Sequence, residues 1–350
     1  MKKRSVLLIG TEPDRMIRLQ RVHDSLISLG VNVSVFKPVD RPRGRPRILK
    51  GIVRYLVISL QLLLSRADIY HFFNVPDNVG MPLLLKRGTL VYDVRTPWAA
   101  VLEGTFGKSP LVIVARTIEK TMTRSADQVV CVNSMLAERA VSWGAKSVVV
   151  IPNYPAEDFG PSKDREEFRR ALCLNGAPVV LYLGKLSKVE GIDLLMDVIK
   201  TTCKAMPNLR FLVVGAGPEE HKLKHFIESH SLESQVMMTG WVPHEDVANY
   251  INVADVCLLP RPWDSCSPFI GPESVWKAGE YLSLGKPVVA PRMGGFASAP
   301  FPVLPVDPSE MADAIINYFK NMTKKPITPH PRWPESHRRL KELYTRLGAI

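Results

Sequence analysis

Within residues 265–292, SCSPFIGPESVWKAGEYLSLGKPVVAPR, two carboxylates and one amine recur at helical spacing: Glu273, Lys277 and Glu280. On a helix these three form a polar stripe opposite Val275, Ala278 and Leu282, so one face packs and the other is free to bind. Gly271 with Pro272 opens the expected helix, and Gly285 with Pro287 closes it. A helix start behind a Gly/Pro loop offers backbone N–H groups and a partial positive charge, a seat for a phosphate or diphosphate. The plainer reading is a solvated Glu/Lys pair four residues apart, which contributes about 0.2–0.5 kcal/mol.

SVWKAGEYLSLGKPVVA resembles the donor-site motif of retaining GT-B glycosyltransferases of family four, in its Lys-x-x-Glu-Tyr form followed by Gly-Lys-Pro-Val-Val-Ala. The resemblance implies that Glu280 holds the ribose hydroxyls of a nucleotide sugar. It implies that Lys277 sits beside the diphosphate, with Ser274 and Tyr281 on the same donor side. The commoner family pattern separates two Glu residues by seven positions. Here Glu273 and Glu280 are separated by six, so only Glu280 is carried over.

The elements that must position this stripe need a chain of adequate size, and 350 residues suffice for about two domains. A content of 46% hydrophobic and 23% charged residues fits an ordinary globular protein. The five cysteines are scattered without a CxxC, which argues for a reducing compartment with no disulfide frame and no zinc site. MKKRSVLLIG has too short an apolar run for a signal peptide and reads as a first buried strand. No run reaches the roughly eighteen apolar residues that span a bilayer, so the protein is expected to be cytoplasmic, peripheral at most at the inner membrane face. A net charge of +12 calls for an anionic partner, and nucleic acid, membrane lipid and nucleotide sugar all qualify. Nucleic acid is set aside because the arginine run carries no interleaved aromatic residues.

In chain order, an apolar run ending at Gly10, a helical pattern closing at Gly30 and the alternating Val31, Val33 and Val35 make a βαβ opening. Its first loop lacks the family's Gly-Gly pair; it meets a ligand through Arg15 or Arg18, or is a solvated helix start. RPRGRPR leads into ILKGIVRYLVISLQLLLSR, so the segment from Arg41 to Arg54 has the form of a contact with an anionic membrane surface. The alternative is a helix covering the sheet, because Tyr55 to Leu64 is apolar nearly all round. DIYHFF and LVYDV read as strands ending in polar loops, which makes His71, Asn74, Asp93 and Arg95 acceptor-side candidates. For His71, a satisfied buried histidine competes with a catalytic one. YDVRTPW is similar to the family segment that lies over the transferred sugar, which favours Asp93 and Arg95 as catalytic.

After an Ile-Pro-Asn segment ending at Asn153, the Pro, Gly and charged residues 154–163 form the linker. The next strand delivers Gly184 and Lys185 to a loop before Gly191. The resemblance implies two diphosphate cations in this loop. Lys185 supplies the first, whereas Glu190 stands where the second belongs, leaving Lys188 or Lys277 to provide it. LRFLVVGAGPEE has two glycines of a dinucleotide fingerprint but lacks the third, so nicotinamide binding is set aside. The resemblance places Trp241 and Val242 at the nucleotide base, with plain core as the other reading of Trp241.

These readings combine into an α/β protein of the GT-B type, two Rossmann-like domains facing each other across a cleft. The expected boundaries are 1–158 for an acceptor-binding domain, 159–329 for a nucleotide-sugar-binding domain, and 330–350 for a helix packing back on the first. The implied reaction moves a sugar from a nucleotide-diphosphate sugar to a hydroxyl of a glycan or lipid-linked acceptor. The resemblance implies retention by front-face attack with no cofactor and no essential metal, and the absence of an Asp-x-Asp sequence agrees with the metal-free part. A GT-B-like epimerase and a non-catalytic nucleotide-sugar binder are the alternatives; neither requires Asp93 and Arg95.

Overall fold

The computed structural model describes residues 4–39, 47–174, 176–321, 327 and 330–350, with side chains in the helix starting at Arg47 described from Val53 onward. The chain divides into two compact units, one ending at Asn153 but joined by Pro334–Ile350, the other Tyr154–Trp333.

The first unit is built on six parallel strands: β1 (Val6–Ile9), β2 (Val33–Val35), β3 (Ile69–Phe73), β4 (Thr89–Val94), β5 (Gln128–Cys131) and β6 (Val148–Val150), in the order β2-β1-β3-β4-β5-β6. Its central strands are apolar runs because helices cover both faces, which leaves no solvated side to alternate with. The helices are α1 (Ile17–Ser28), α2 (Arg47–Leu64), α3 (Trp98–Phe106), α4 (Pro110–Ser125) and α5 (Ser134–Ser142).

The second unit repeats the plan with α6 (Arg165–Ala171), β7 (Val179–Leu183), α7 (Ile192–Ala205), β8 (Arg210–Val214), α8 (Glu220–Ser229), β9 (Val236–Gly240), α9 (His244–Val253), β10 (Val256–Leu258), α10 (Trp276–Ser283), β11 (Val288–Pro291), β12 (Val303–Val306) and α11 (Met311–Asn321). The strand order is β12-β11-β10-β7-β8-β9, so the chain winds outward from β7 in both directions.

The last helix, α12 (Trp333–Arg346), crosses back to the first unit, where Ser336 Oγ donates to Pro152 O at 2.8 Å and Arg339 Nη1 to Val150 O at 2.9 Å. Its Leu340, Leu343 and Tyr344 are fully buried.

Two local expectations change. The helix expected to open at Gly271 begins at Trp276, because Ser274 closes a separate turn: its Oγ donates to Gly271 O and accepts from Gly271 N–H, both at 2.9 Å, and Val275 is extended. Glu273 therefore stands outside the helix and does not share a stripe with Lys277 and Glu280. The stretch from Tyr55 to Leu64 is not buried all round, since Leu56, Leu60 and Leu64 are 58–73% exposed while Ile58 and Leu62 are buried. Arg41, Arg43 and Arg45 of the basic run lie outside the described residues. Arg54, the last cation of that segment, is buried and turned inward, with Nη2 on Thr11 O at 2.9 Å and Nε on Val39 O at 3.0 Å.

Candidate functional site

β7 and β10 are neighbours at the point where the second sheet reverses its strand order, and the loops leaving their carboxyl ends meet there. Crevices at such points are where open α/β sheets take ligands. The loop 184–191 lies so close to the loop after β10 that a Cβ on Gly191 (φ 85°) would fall 1.5 Å from Pro260 O. Gly215 (φ 133°) likewise presses against Gly184 O, so the glycines of LVVGAG serve loop packing. Only residues without a Cβ permit this backbone contact.

Helix α10 is anchored on these loops by Tyr281, fully buried, whose hydroxyl accepts from Leu183 N–H at 2.9 Å. Tyr281 thus positions the helix, its hydroxyl committed to the end of β7. The anchorage carries Lys277 across Gly184: its Nζ lies 2.9 Å from where a Cβ would be. It donates to Glu190 Oε2 at 2.6 Å. Burial lowers the affinity of Lys277 for its proton, and Glu190 works against that shift. Burial alone would raise the Glu190 carboxyl, but Lys277, Arg261 and Lys185 together bring it below the usual carboxylate range.

Glu190 Oε1 has a second neighbour, Arg261 Nη1 at 3.9 Å, and Arg261 Nη2 approaches Asp264 at 3.5 Å. Arg261 Nε is buried with no partner among the described residues. A small pocket opens beside this cluster, lined by Glu190, Arg261 and Lys277 with Ile270, Val275 and Met293. Lys185 and Lys188 stand exposed on the adjoining loop. The result is four cations and two carboxylates, Glu190 and Asp264, around the ends of β7 and β10, a net positive field suited to an anion that displaces Glu190 from its partners.

One turn along α10, Glu280 is buried and its Oε1 accepts from His244 Nε2 at 2.8 Å, at the start of α9. Trp241, in the link between β9 and α9, is 74% exposed and so is not core; Val242 is half-buried. The structure thus brings Lys277 to Gly184 and Glu190, seats Tyr281 on Leu183, and joins Glu280 to His244. Ser274 is held in its own turn. Sequence reading missed Arg261, Glu190 as a partner of Lys277, and His244. The signal for Arg261 was its place just past an apolar strand, where open sheets put ligand groups.

In the first unit, Asp93 is fully buried and accepts from Arg18 Nε at 3.0 Å and from His71 Nε2 at 3.2 Å. His71 Nδ1 in turn accepts from the Tyr344 hydroxyl at 2.6 Å, and Arg18 Nη1 donates to Asn153 Oδ1 at 2.9 Å. Burial alone would raise the Asp93 carboxyl, but Arg18 and His71 hold it below the ordinary value. Burial pushes the His71 imidazole down against the pull of Asp93. The consistent assignment is a neutral imidazole between an ionised carboxylate and a phenol. This network ties α1, β3, β4 and α12 together, and it accounts for His71 and Asp93 as a satisfied internal set. Asn74 Oδ1 accepts from Arg95 N–H at 2.9 Å and its Nδ2 donates to Thr96 O at 2.6 Å, while Arg95 Nε donates to Asn74 O at 3.0 Å. Both therefore brace the turn after β4. Arg15 is exposed, apart from this network, with Glu12 4.0 Å away. Among the described residues no group of three His, Cys, Asp or Glu could hold a metal ion.

Residues 177–321 match the family model described as glycosyl transferases group 1. A phosphatidylinositol N-acetylglucosaminyltransferase subunit of Arabidopsis thaliana is 29% identical over 227 residues, covering 63% of this chain and 46% of that protein. The GPI3 subunit of the enzyme of the same name from Saccharomyces cerevisiae is 30% identical over 157 residues, 44% of this chain and 34% of that protein. The chain thus spans less than half the length of these curated relatives. Among solved structures, sucrose-phosphate synthase from Thermosynechococcus elongatus superposes with a TM-score of 0.77 at 16% identity, covering 99% of each chain. HepE from Anabaena, in complex with UDP, gives 0.69 at 16% identity over 98% of this chain and all of that one. The chain has the GT-B fold, and its second unit carries the sequence pattern of the glycosyl transferases group 1 family.

Proposed function

We propose that the protein is a glycosyltransferase whose second unit binds a nucleotide-diphosphate sugar and whose first unit receives the acceptor hydroxyl, with retention of configuration. The observation that carries this reading is the convergence of Lys277, Arg261, Lys185 and Lys188 on the switch point of the second sheet, one turn of α10 from the buried Glu280. A diphosphate arriving there replaces Glu190 as the partner of Lys277 and Arg261. Glu280, held by His244, then accepts from the ribose hydroxyls. Cations fixed in a partly buried site stabilise charge as it develops on a leaving diphosphate, and no reorganisation is needed at that moment. On this reading the chain's own residues need no metal or cofactor.

The names of the relatives favour transfer over epimerisation, and those acting on phosphatidylinositol favour a lipid-linked acceptor over a free glycan. We place the protein in the cytoplasm, peripheral at an anionic membrane surface, with the segment from Arg41 to Arg54 as its basic approach. Within that segment the inward-turned Arg54 takes no part.

The test is a thermal-shift screen with UDP-, GDP- and ADP-sugars, followed by measurement of nucleoside diphosphate release. One donor class should raise the midpoint, since a ligand of the native state stabilises it. Release that appears only with acceptor present establishes transfer. No shift with any donor removes the reading.

A further inference from the structure

Helix α2 shows solvent an apolar stripe at helical spacing: Val53, Leu56, Leu60 and Leu64 are 52–73% exposed, with Val57 and Leu63 beside them. Six outward apolar side chains on three turns contradict the polar face expected of a surface helix. A second such region lies on the hairpin of α3 and α4, where Phe106 is 57%, Ile113 68% and Val114 55% exposed. Leu85, 78% exposed, stands between them in the short helical segment Asp77–Leu85, which touches both α2 and α4.

These elements share one face of the first sheet. α2 links β2 to β3, Asp77–Leu85 links β3 to β4, and α3 with α4 links β4 to β5, all moving the same way across a parallel sheet. Right-handed crossovers running in one direction fall on one face, whereas α1, which runs the other way, covers the opposite face.

The charge around this face is one-sided. Residues 41–125 contain fourteen Lys and Arg against five Asp and Glu, a surplus of nine out of the chain's twelve. Of those five acids, Asp77, Asp93 and Glu119 are buried, and Glu103 lies 3.6 Å from Arg116. Residues 47–64 contain no acid at all. Among the described residues no helix is long and apolar enough to cross a membrane. Apolar side chains amid cations on helices not both long and apolar enough to span suit the boundary between headgroups and acyl chains.

We infer that this face, the stripe of α2 together with Leu85 and the α3–α4 hairpin, seats the protein on an anionic bilayer through two separate apolar contacts. The inference rests on the peripheral location proposed above and extends it from a basic segment to a two-point apolar footing.

The test is sedimentation of the full chain with phosphatidylcholine vesicles, with and without about one-third phosphatidylglycerol, at 0.15 M salt where exposed charges alone are largely screened. Leu60→Asp and Ile113→Asp, both at exposed positions, should each weaken binding to the anionic vesicles on the order of tenfold, with unchanged circular dichroism and melting. Arg116→Gln should weaken binding to anionic vesicles only. If neutralising Arg43, Arg45 and Arg47 abolishes binding while Leu60→Asp and Ile113→Asp pellet like wild type, the two-point footing is wrong and the peripheral location stands. If wild type does not pellet, both fail. If it is a dimer in vesicle-free buffer that Leu60→Asp turns into monomers, the face belongs to a second copy and the inference is overturned.

Discussion

Lys277 Nζ and Glu190 Oε2 lie 2.6 Å apart, so the carboxylate standing where a second diphosphate cation was expected occupies one of the two lysines left to replace that cation. Without a ligand, Lys277 and Glu190 neutralise each other. Lys277→Met should lower donor-dependent turnover on the order of 100-fold, the usual cost of removing one preorganised charge, with little change in melting. Glu190→Gln should tighten nucleoside diphosphate binding by about 1 kcal/mol, roughly fivefold, in titration calorimetry. Weaker binding by Glu190→Gln would mean that the carboxylate supports the ligand.

Glu280 and His244 allow a graded comparison. Glu280→Ala removes a charged acceptor, so transfer should fall about 10- to 100-fold, matching roughly 1.5–3 kcal/mol for a charge-assisted bond. His244→Ala should cost less, because it removes only the group that orients the carboxylate. Equal losses in kcat/KM from both would give the imidazole its own contact with the ligand.

Tyr281→Phe deletes the acceptor of the Leu183 N–H bond and leaves a buried donor unpaired, at a cost of about 1–3 kcal/mol. Because this bond seats α10, the donor KM should rise along with the loss in melting temperature. An unchanged KM would show that the helix is held by its packing alone.

Burial lowers His330 from 6.5 to about 4, and lowers His71 as well. A depressed imidazole binds its proton later in the folded state than in the unfolded one. Stability is therefore full above pH 6.5 and falls as pH drops from 6.5 towards 4, by at most about 1.4 kcal/mol per pH unit for each group. Urea midpoints measured from pH 7.5 to 4.5 should show this slope, and His330→Gln should flatten it.

Asp93→Asn should cost about 3–5 kcal/mol, because it leaves Arg18 buried without its countercharge. Arg18→Met in the same chain should restore part of the loss. A chemical role for Asp93 would instead show as lost turnover in a variant that melts normally.

The α/β alternation was legible in the sequence because buried parallel strands are written as short apolar runs, and each of β3, β4, β7 and β11 could be read that way. Lys277 and Glu280 were legible through a motif. The partners were not: Glu190 is 87 residues from Lys277 and His244 is 36 from Glu280, and only the fold's crossovers bring them together. The polar ends of DIYHFF and LVYDV pointed to a ligand, yet burial turned His71 and Asp93 towards Arg18 and Tyr344. Spacing alone cannot tell an outward carboxylate from one facing a guanidinium across the sheet. The start of α10 was misplaced for a local reason, since Pro at a first helical position looks the same as Pro in the turn that Ser274 closes.

The return of residues 334–350 to the first unit means that its interior is closed only after the second unit has been synthesised. Leu340, Leu343 and Tyr344 leave the ribosome after the whole of 154–333. Until then the lobe made first has all its strands but lacks the helix that fills part of its interior and sets the phenol on His71, whereas the lobe made second already has every strand and helix it needs. A nascent chain halted before α12 should accordingly protect the later lobe from protease and leave the earlier one open to cleavage.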